Sequence, residues 1–72
     1  MKEREFNVII ERDEDGWFVG RVSELRGCHT QAKSLDKLMT RIREAIEACL
    51  DASDAPRQVS RFVGIQQVRV SR

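Results

Sequence analysis

Among its 72 residues the chain has one histidine, no tyrosine, one tryptophan, one proline and two cysteines, and each scarcity removes a class of function. A nucleophilic triad needs a base held by an acid beside the nucleophile. His29 is the sole candidate base, and its neighbours Cys28 and Thr30 point to the opposite face if the segment is a strand. No enzyme is therefore expected. Cys28 and His29 are adjacent and lack a Cys-x-x-Cys or His-x-x-x-His partner, so no metal site is expected. The run Asp13-Glu14-Asp15 lacks the ligand spacing of a calcium loop. Neither Gly-x-x-x-x-Gly-Lys nor Gly-x-Gly-x-x-Gly occurs, which argues against nucleotide chemistry, and no cofactor is expected. Cys28 and Cys49 are too few for a disulfide framework and read as small buried apolar residues.

Long apolar runs are also missing. Nothing approaches the roughly 18 residues of a membrane span, and the charged start Met1-Lys-Glu-Arg-Glu5 is not followed by an apolar stretch. A cytoplasmic protein with no membrane contact is expected. A chain this short buries only about 60% of its unfolded surface. With neither disulfides nor metal to add stability, a partner subunit is the remaining source.

What is present is strongly patterned. From Glu3 to Arg12 the chain alternates, with Phe6, Val8 and Ile10 on one face and Glu3, Glu5, Asn7, Ile9 and Glu11 on the other, as in a half-buried strand. Asp13-Glu-Asp-Gly16 supplies a turn in which Gly16 takes the positive φ of a bulge. A strand over 17–22 follows. If Gly16 forms the bulge, Arg12 lies opposite Phe18, and Phe18, Gly20 and Val22 join Phe6, Val8 and Ile10 inside, with Gly20 admitting a close neighbour. Ile9, Trp17 and Val19 then sit outside among acids as a contact patch. A different register would instead bury Trp17.

A third strand is expected over 28–33, and Ser34 reads as the N-cap of a helix over 35–50, with Asp36 near its positive end. Leu35, Leu38, Met39, Ile42, Ala45, Ile46, Cys49 and Leu50 repeat at helical spacing along one face. Glu44 and Glu47 lie within a turn of Arg41 and Arg43, which predicts local ion pairs. Asp51-Ala-Ser-Asp-Ala-Pro56 is expected to end the helix and form a linker too short to separate domains. A last strand is expected over 59–70, with Phe62, Val68 and Val70 on one face and Val63 and Ile65 on the other. A strand apolar on both faces is usually covered on both. With one helix in the chain, the second cover is most simply another subunit, giving a dimer or tetramer through Arg61, Phe62, Val63, Ile65, Val68 and Val70.

Charge is divided unevenly. Residues 1–54 hold nine basic and twelve acidic side chains, net −3, whereas residues 55–72 hold four arginines and no acid, net +4, summing to the chain's +1. An acidic body suits a basic partner. Four arginines along one segment, with Phe62 between them, make a modest footprint without a stacking platform or helix-turn-helix, which argues against autonomous DNA or RNA binding.

Read in order, Phe6-Asn-Val-Ile-Ile-Glu-Arg-Asp-Glu-Asp-Gly-Trp-Phe-Val-Gly20 resembles the opening hairpin of the HicB antitoxin family. Leu25-Arg-Gly-Cys-His-Thr-Gln31, Ser34-Leu-Asp-Lys-Leu38 and Ile42-Arg-Glu-Ala-Ile46 resemble its Gly-Cys loop, third strand and helix, and Phe62-Val-Gly-Ile-Gln66 its closing strand. The resemblance covers nearly the whole chain. It departs at Ala32-Lys33, where Gly-Asp is usual, and at Lys37, which stands for the usual glutamate and removes a capping-box partner for Ser34.

The resemblance implies an α+β fold, β-β-β-α-β, like a truncated ribonuclease H domain without its metal-binding carboxylates. It also implies an antitoxin that binds a HicA-type toxin, a small basic mRNA-cleaving ribonuclease, and covers its active surface. Residues 55–72 leave no room for the DNA-binding extension of many relatives, so operator binding is not expected. The acidic hairpin is the expected toxin-binding surface: Ile9, Trp17 and Val19 ringed by Glu11, Asp13, Glu14 and Asp15.

Overall fold

A computed structural model of the chain describes residues 4–52 and 60–72. Its element order is β1 (Val8–Arg12), β2 (Phe18–Val22), β3 (His29–Ala32) and α1 (Leu35–Ala52). The three strands form one antiparallel sheet in the order β1-β2-β3, with the helix on one face, an α+β fold. The helix runs on through Asp51 and Ala52, expected in the linker, and the expected ends at Glu3 and Val59, residues 53–56 of that linker and Arg57 lie outside the described residues.

Register is set at the first hairpin. Gly16 has φ +87° and Arg12 lies opposite Phe18, Ile10 opposite Gly20 and Val8 opposite Val22. The bulge-type turn and the register expected from it are both present. Asp13 closes the turn: its Oδ1 accepts from the backbone N–H of Asp15 and of Trp17, each at 2.9 Å. β1 is shorter than the alternation suggested because the chain before Val8 is held otherwise. The Asn7 backbone N–H donates to Glu24 Oε1 at 2.8 Å and its Nδ2 to Glu24 Oε2 at 2.6 Å, tying the start of β1 to the β2–β3 connection.

Even-numbered residues of β2 face the helix. Gly20 is buried there, and a Cβ built on it would lie 3.3 Å from Val8 Cγ1 and 3.4 Å from both Leu38 δ-carbons. The close neighbour expected at Gly20 is thus Leu38, itself fully buried. Val22, Leu25, Cys28 and Ile42 make the central cluster, with Phe6, Val8, Ala45, Ile46, Cys49 and Leu50 packed around it. Ser34 caps α1, its Oγ accepting from the Lys37 N–H at 3.2 Å. No helix among the described residues is long and apolar enough to cross a membrane.

Two expectations are corrected. Leu35 and Met39, placed on the buried stripe of the helix, are 48% and 39% exposed, and Ile10, placed inside with Phe6 and Val8, is 42% exposed. The reason is lateral offset: α1 packs on β2 and β3, leaving the β1 side of the sheet uncovered. The segment 60–72, expected to continue the last strand, has no strand pairing. A strand exists only against a hydrogen-bonded neighbour, and among the described residues this segment has none. Apart from half-buried Phe62, every residue of 60–72 is exposed.

Candidate protein-binding surface

Pairing geometry sorts β1 and β2 into two faces. Asn7 accepts from the Ser23 N–H, and the Asp13 N–H donates to the Trp17 carbonyl. By the alternation of antiparallel ladders, odd residues of β1 form the hydrogen-bonded pairs with β2. Their side chains point away from the helix. Ile9, Glu11, Val19 and Arg21 therefore share the helix-free face, with Glu11 opposite Val19 and Ile9 opposite Arg21. Trp17, opposite Asp13, continues it at the hairpin end.

Of the seven hairpin residues expected to bind a partner, Ile9, Trp17 and Val19 are half-buried and Glu11, Asp13, Glu14 and Asp15 exposed. The structure gathers Ile9, Glu11, Trp17 and Val19 on one face and adds three features that the sequence pattern did not reveal. Asp13 is committed to the turn, so its carboxylate is a local organiser. Glu11 lies 3.7 Å from the Arg21 guanidinium, an exposed pair that tempers the acidity at mid-sheet. Lys33 stands over the Trp17 ring, its Nζ 4.4 Å from the centroid, and donates to the Asp15 carbonyl at 3.3 Å. That cation accounts for how Trp17 is tolerated on an open face. Its stem screens the indole from water while its charge meets the ring face.

The other residues singled out separate cleanly. Cys28 is buried and His29 exposed, on opposite faces, and the His29 ring nitrogen Nδ1 lies 3.1 Å from the Gly27 carbonyl. Burial pushes the Cys28 thiol up to about 12, with a hydrogen bond to Cys49 and the charge of that neighbouring sulfur adding to the effect. Both cysteines are free thiols. Glu24 feels some desolvation, which raises its pKa, but the hydrogen bonds from the Asn7 side chain and backbone and from its own backbone outweigh this and leave it below the usual value. Arg41, expected to pair along the helix, reaches across and donates to the Gln31 carbonyl at 2.8 Å. Among the described residues no group of three or more His, Cys, Asp or Glu side chains could hold a metal ion.

A second surface was not anticipated. Where α1 leaves β1 uncovered, Phe6, Met39, Ile42 and Ile46 line an open groove of about 570 Å³, with Arg4, Arg43 and Glu47 at its rim. Arg4 lies over the Phe6 ring at 5.2 Å. The apolar helical stripe was visible in sequence, but its excess over the sheet width was not.

Comparison with known proteins gives one consistent result. The chain is 47% identical to a UPF0150 protein of Synechocystis over 97% of its own length and all of the relative. It is 51% identical to a UPF0150 protein of Archaeoglobus fulgidus over 90% of this chain and 93% of that one. A UPF0150 protein of Thermoplasma acidophilum matches at 43% over 65% and 68% of the two chains. No protein-family model matches, and no solved structure matches significantly.

Proposed function

The chain belongs to the UPF0150 family, and we propose that it acts as a short HicB-like antitoxin. In this reading it is a non-catalytic cytoplasmic protein that neutralises a HicA-type, mRNA-cleaving toxin by covering the toxin's active surface. The observation that carries the reading is the helix-free sheet face, where Ile9, Val19 and Trp17 lie side by side with Glu11 and with the exposed Glu14 and Asp15 of the turn. The order of sheet and helix, β-β-β-α, is the one the HicB resemblance implies.

The chemistry suits a basic partner. Carboxylates at the rim accelerate encounter with a cationic surface and fix its orientation. A central aromatic flanked by aliphatic side chains then supplies the anchor typical of binding hot spots. Lys33 must leave the Trp17 ring for the indole to be contacted, a local rearrangement of one exposed side chain. A bound ribonuclease would be inhibited by occlusion, with no group of this chain entering its chemistry.

Co-expression tests the reading. A small basic protein encoded beside this gene should arrest growth alone, and its toxicity should disappear when this chain is co-expressed and a complex co-purifies. Trp17→Ala combined with Glu11→Lys should restore toxicity while the variant remains folded. Undiminished toxicity and no complex with the unaltered chain would overturn the antitoxin reading and leave an interaction domain for a different partner.

A further inference from the structure

We propose that residues 60–70 of one chain pair with the free edge of β1 in a second copy, their even-numbered side chains covering the groove beside α1, so that two chains exchange C-terminal strands. Three observations carry this inference, none of which depends on the toxin reading.

The first is the acceptor edge. Odd residues of β1 bond to β2, so Val8, Ile10 and Arg12 direct their backbone N–H and C=O groups to the outer edge. No strand pairs there among the described residues. The opposite edge is less open, because the Arg41 guanidinium already occupies the Gln31 carbonyl of β3. An open edge is a ready template for an added strand.

The second is apolar area that the single chain leaves in water on both sides of the would-be contact. Ile10, on the helix-facing side of β1, is 42% exposed, and Phe6, Met39, Ile42 and Ile46 line an open groove. Val63 is 94% and Val70 71% exposed. Phe62, Val68 and Val70 fall on one face of an extended strand and Val63 and Ile65 on the other.

The third is pattern complementarity. The odd face of the tail reads Arg61, Val63, Ile65, Gln67, Arg69, an apolar centre between two cations. The odd face of β1 and its approach reads Glu5, Asn7, Ile9, Glu11, an apolar residue between two acids. Laid side by side, Arg61 meets Glu5 with Ile65 beside Ile9 if the strands run parallel, or Glu11 with Val63 beside Ile9 if antiparallel, and opposite charges and paired apolar side chains both stabilise neighbouring strands. The same register turns Phe62, Val68 and Val70 over the groove. Exchange between two copies repeats this contact twice about a twofold axis, a closed arrangement.

Sedimentation of the full chain across low to high micromolar concentration tests the proposal, together with amide hydrogen exchange. Twice the mass of one chain is expected, with slow exchange at Val8, Ile10 and Arg12 in the dimer. Val63→Asp with Val68→Asp places a charge on each tail face and should yield a monomer that keeps the helical circular dichroism signal of α1. Met39→Lys should do the same from the groove side. Mixing these two monomeric variants should restore a dimer, since tail and groove can each be supplied intact by different chains. A monomer at every concentration, a dimer with fast exchange at Val8, Ile10 and Arg12, or variants that do not complement would each overturn the exchange. The co-expression result is read separately through Trp17 and Val19, which lie on the β2 side of the helix-free face, away from the β1 edge where the exchanged strand adds.

Discussion

Gly20→Val is the sharpest probe of how the helix seats on the sheet. A Cβ at this position would stand 3.3 Å from Val8 Cγ1 and 3.4 Å from the Leu38 δ-carbons, just inside the usual 3.5–4.0 Å of carbon contacts. Alanine needs only a few tenths of an ångström, and the gain of about 0.5–1 kcal/mol from replacing a strand glycine offsets much of that. Valine adds two more carbons where Leu38 has no exposed volume to retreat into. Overpacking of this kind costs about 1–3 kcal/mol, so a net loss near 2 kcal/mol is expected, against the few kcal/mol that a core this small supplies. Urea unfolding followed by Trp17 fluorescence, at fixed chain concentration, should show a midpoint lower by about 2 M, given a slope of about 1 kcal/mol/M for a small domain. In a Leu38→Ala background the same substitution should cost distinctly less, because the obstructing δ-carbons are gone. An unchanged or higher midpoint for Gly20→Val would refute both the register and the Leu38 contact.

Four further outcomes follow from local geometry. Ser34→Ala removes the acceptor of the Lys37 N–H and should lower stability by about 1 kcal/mol in the same unfolding assay; no change would mean that another group caps the helix. The Cys28 thiol, raised from 9.0 to about 12 by burial, is favoured in its protonated form by the fold. Its contribution is complete below pH 9 and is lost as pH rises towards 12, so wild type should lose stability over that window more steeply than Cys28→Ala. Iodoacetamide at neutral pH should label the half-buried Cys49 well before Cys28, as mass spectrometry of peptides will show. Glu24 sits below its usual pKa through the Asn7 hydrogen bonds, so its contribution is present above pH 4.5 and lost as pH falls. Glu24→Gln should therefore flatten the acid limb of the stability profile; an unaltered limb would contradict the role given to those bonds.

Much of the fold could be read from the residues because each signal was local. Gly16 after three acids specified the turn, the turn specified Arg12 opposite Phe18, and that pairing put Gly20 under the helix. Ser34 and the stripe from Leu38 to Leu50 specified the helix and its inward face. What was not legible depends on distance. Leu35 and Met39 carry the same helical periodicity as Leu38 and Ile42, and only the lateral position of the helix decides that both stand exposed, Met39 in the open groove. The tail reads as a strand, yet strand pairing is a property of two segments, and among the described residues no second segment pairs with it. At the hairpin, side-chain chemistry named the residues of the face. It did not reveal that Asp13 is spent on the turn or that Lys33 shields Trp17, because both depend on how the turn meets the end of β3.

The proposed antitoxin function requires a basic protein partner to seat on the helix-free face of the sheet. The most direct test is the dissociation constant of the co-purified partner for Trp17→Ala beside that for Met39→Lys, which alters the opposite side. Loss of the aromatic anchor should weaken binding roughly 30-fold, equivalent to about 2 kcal/mol, with Met39→Lys close to wild type. Full affinity in Trp17→Ala with a large loss in Met39→Lys would place the partner in the groove beside α1 and contradict the claim.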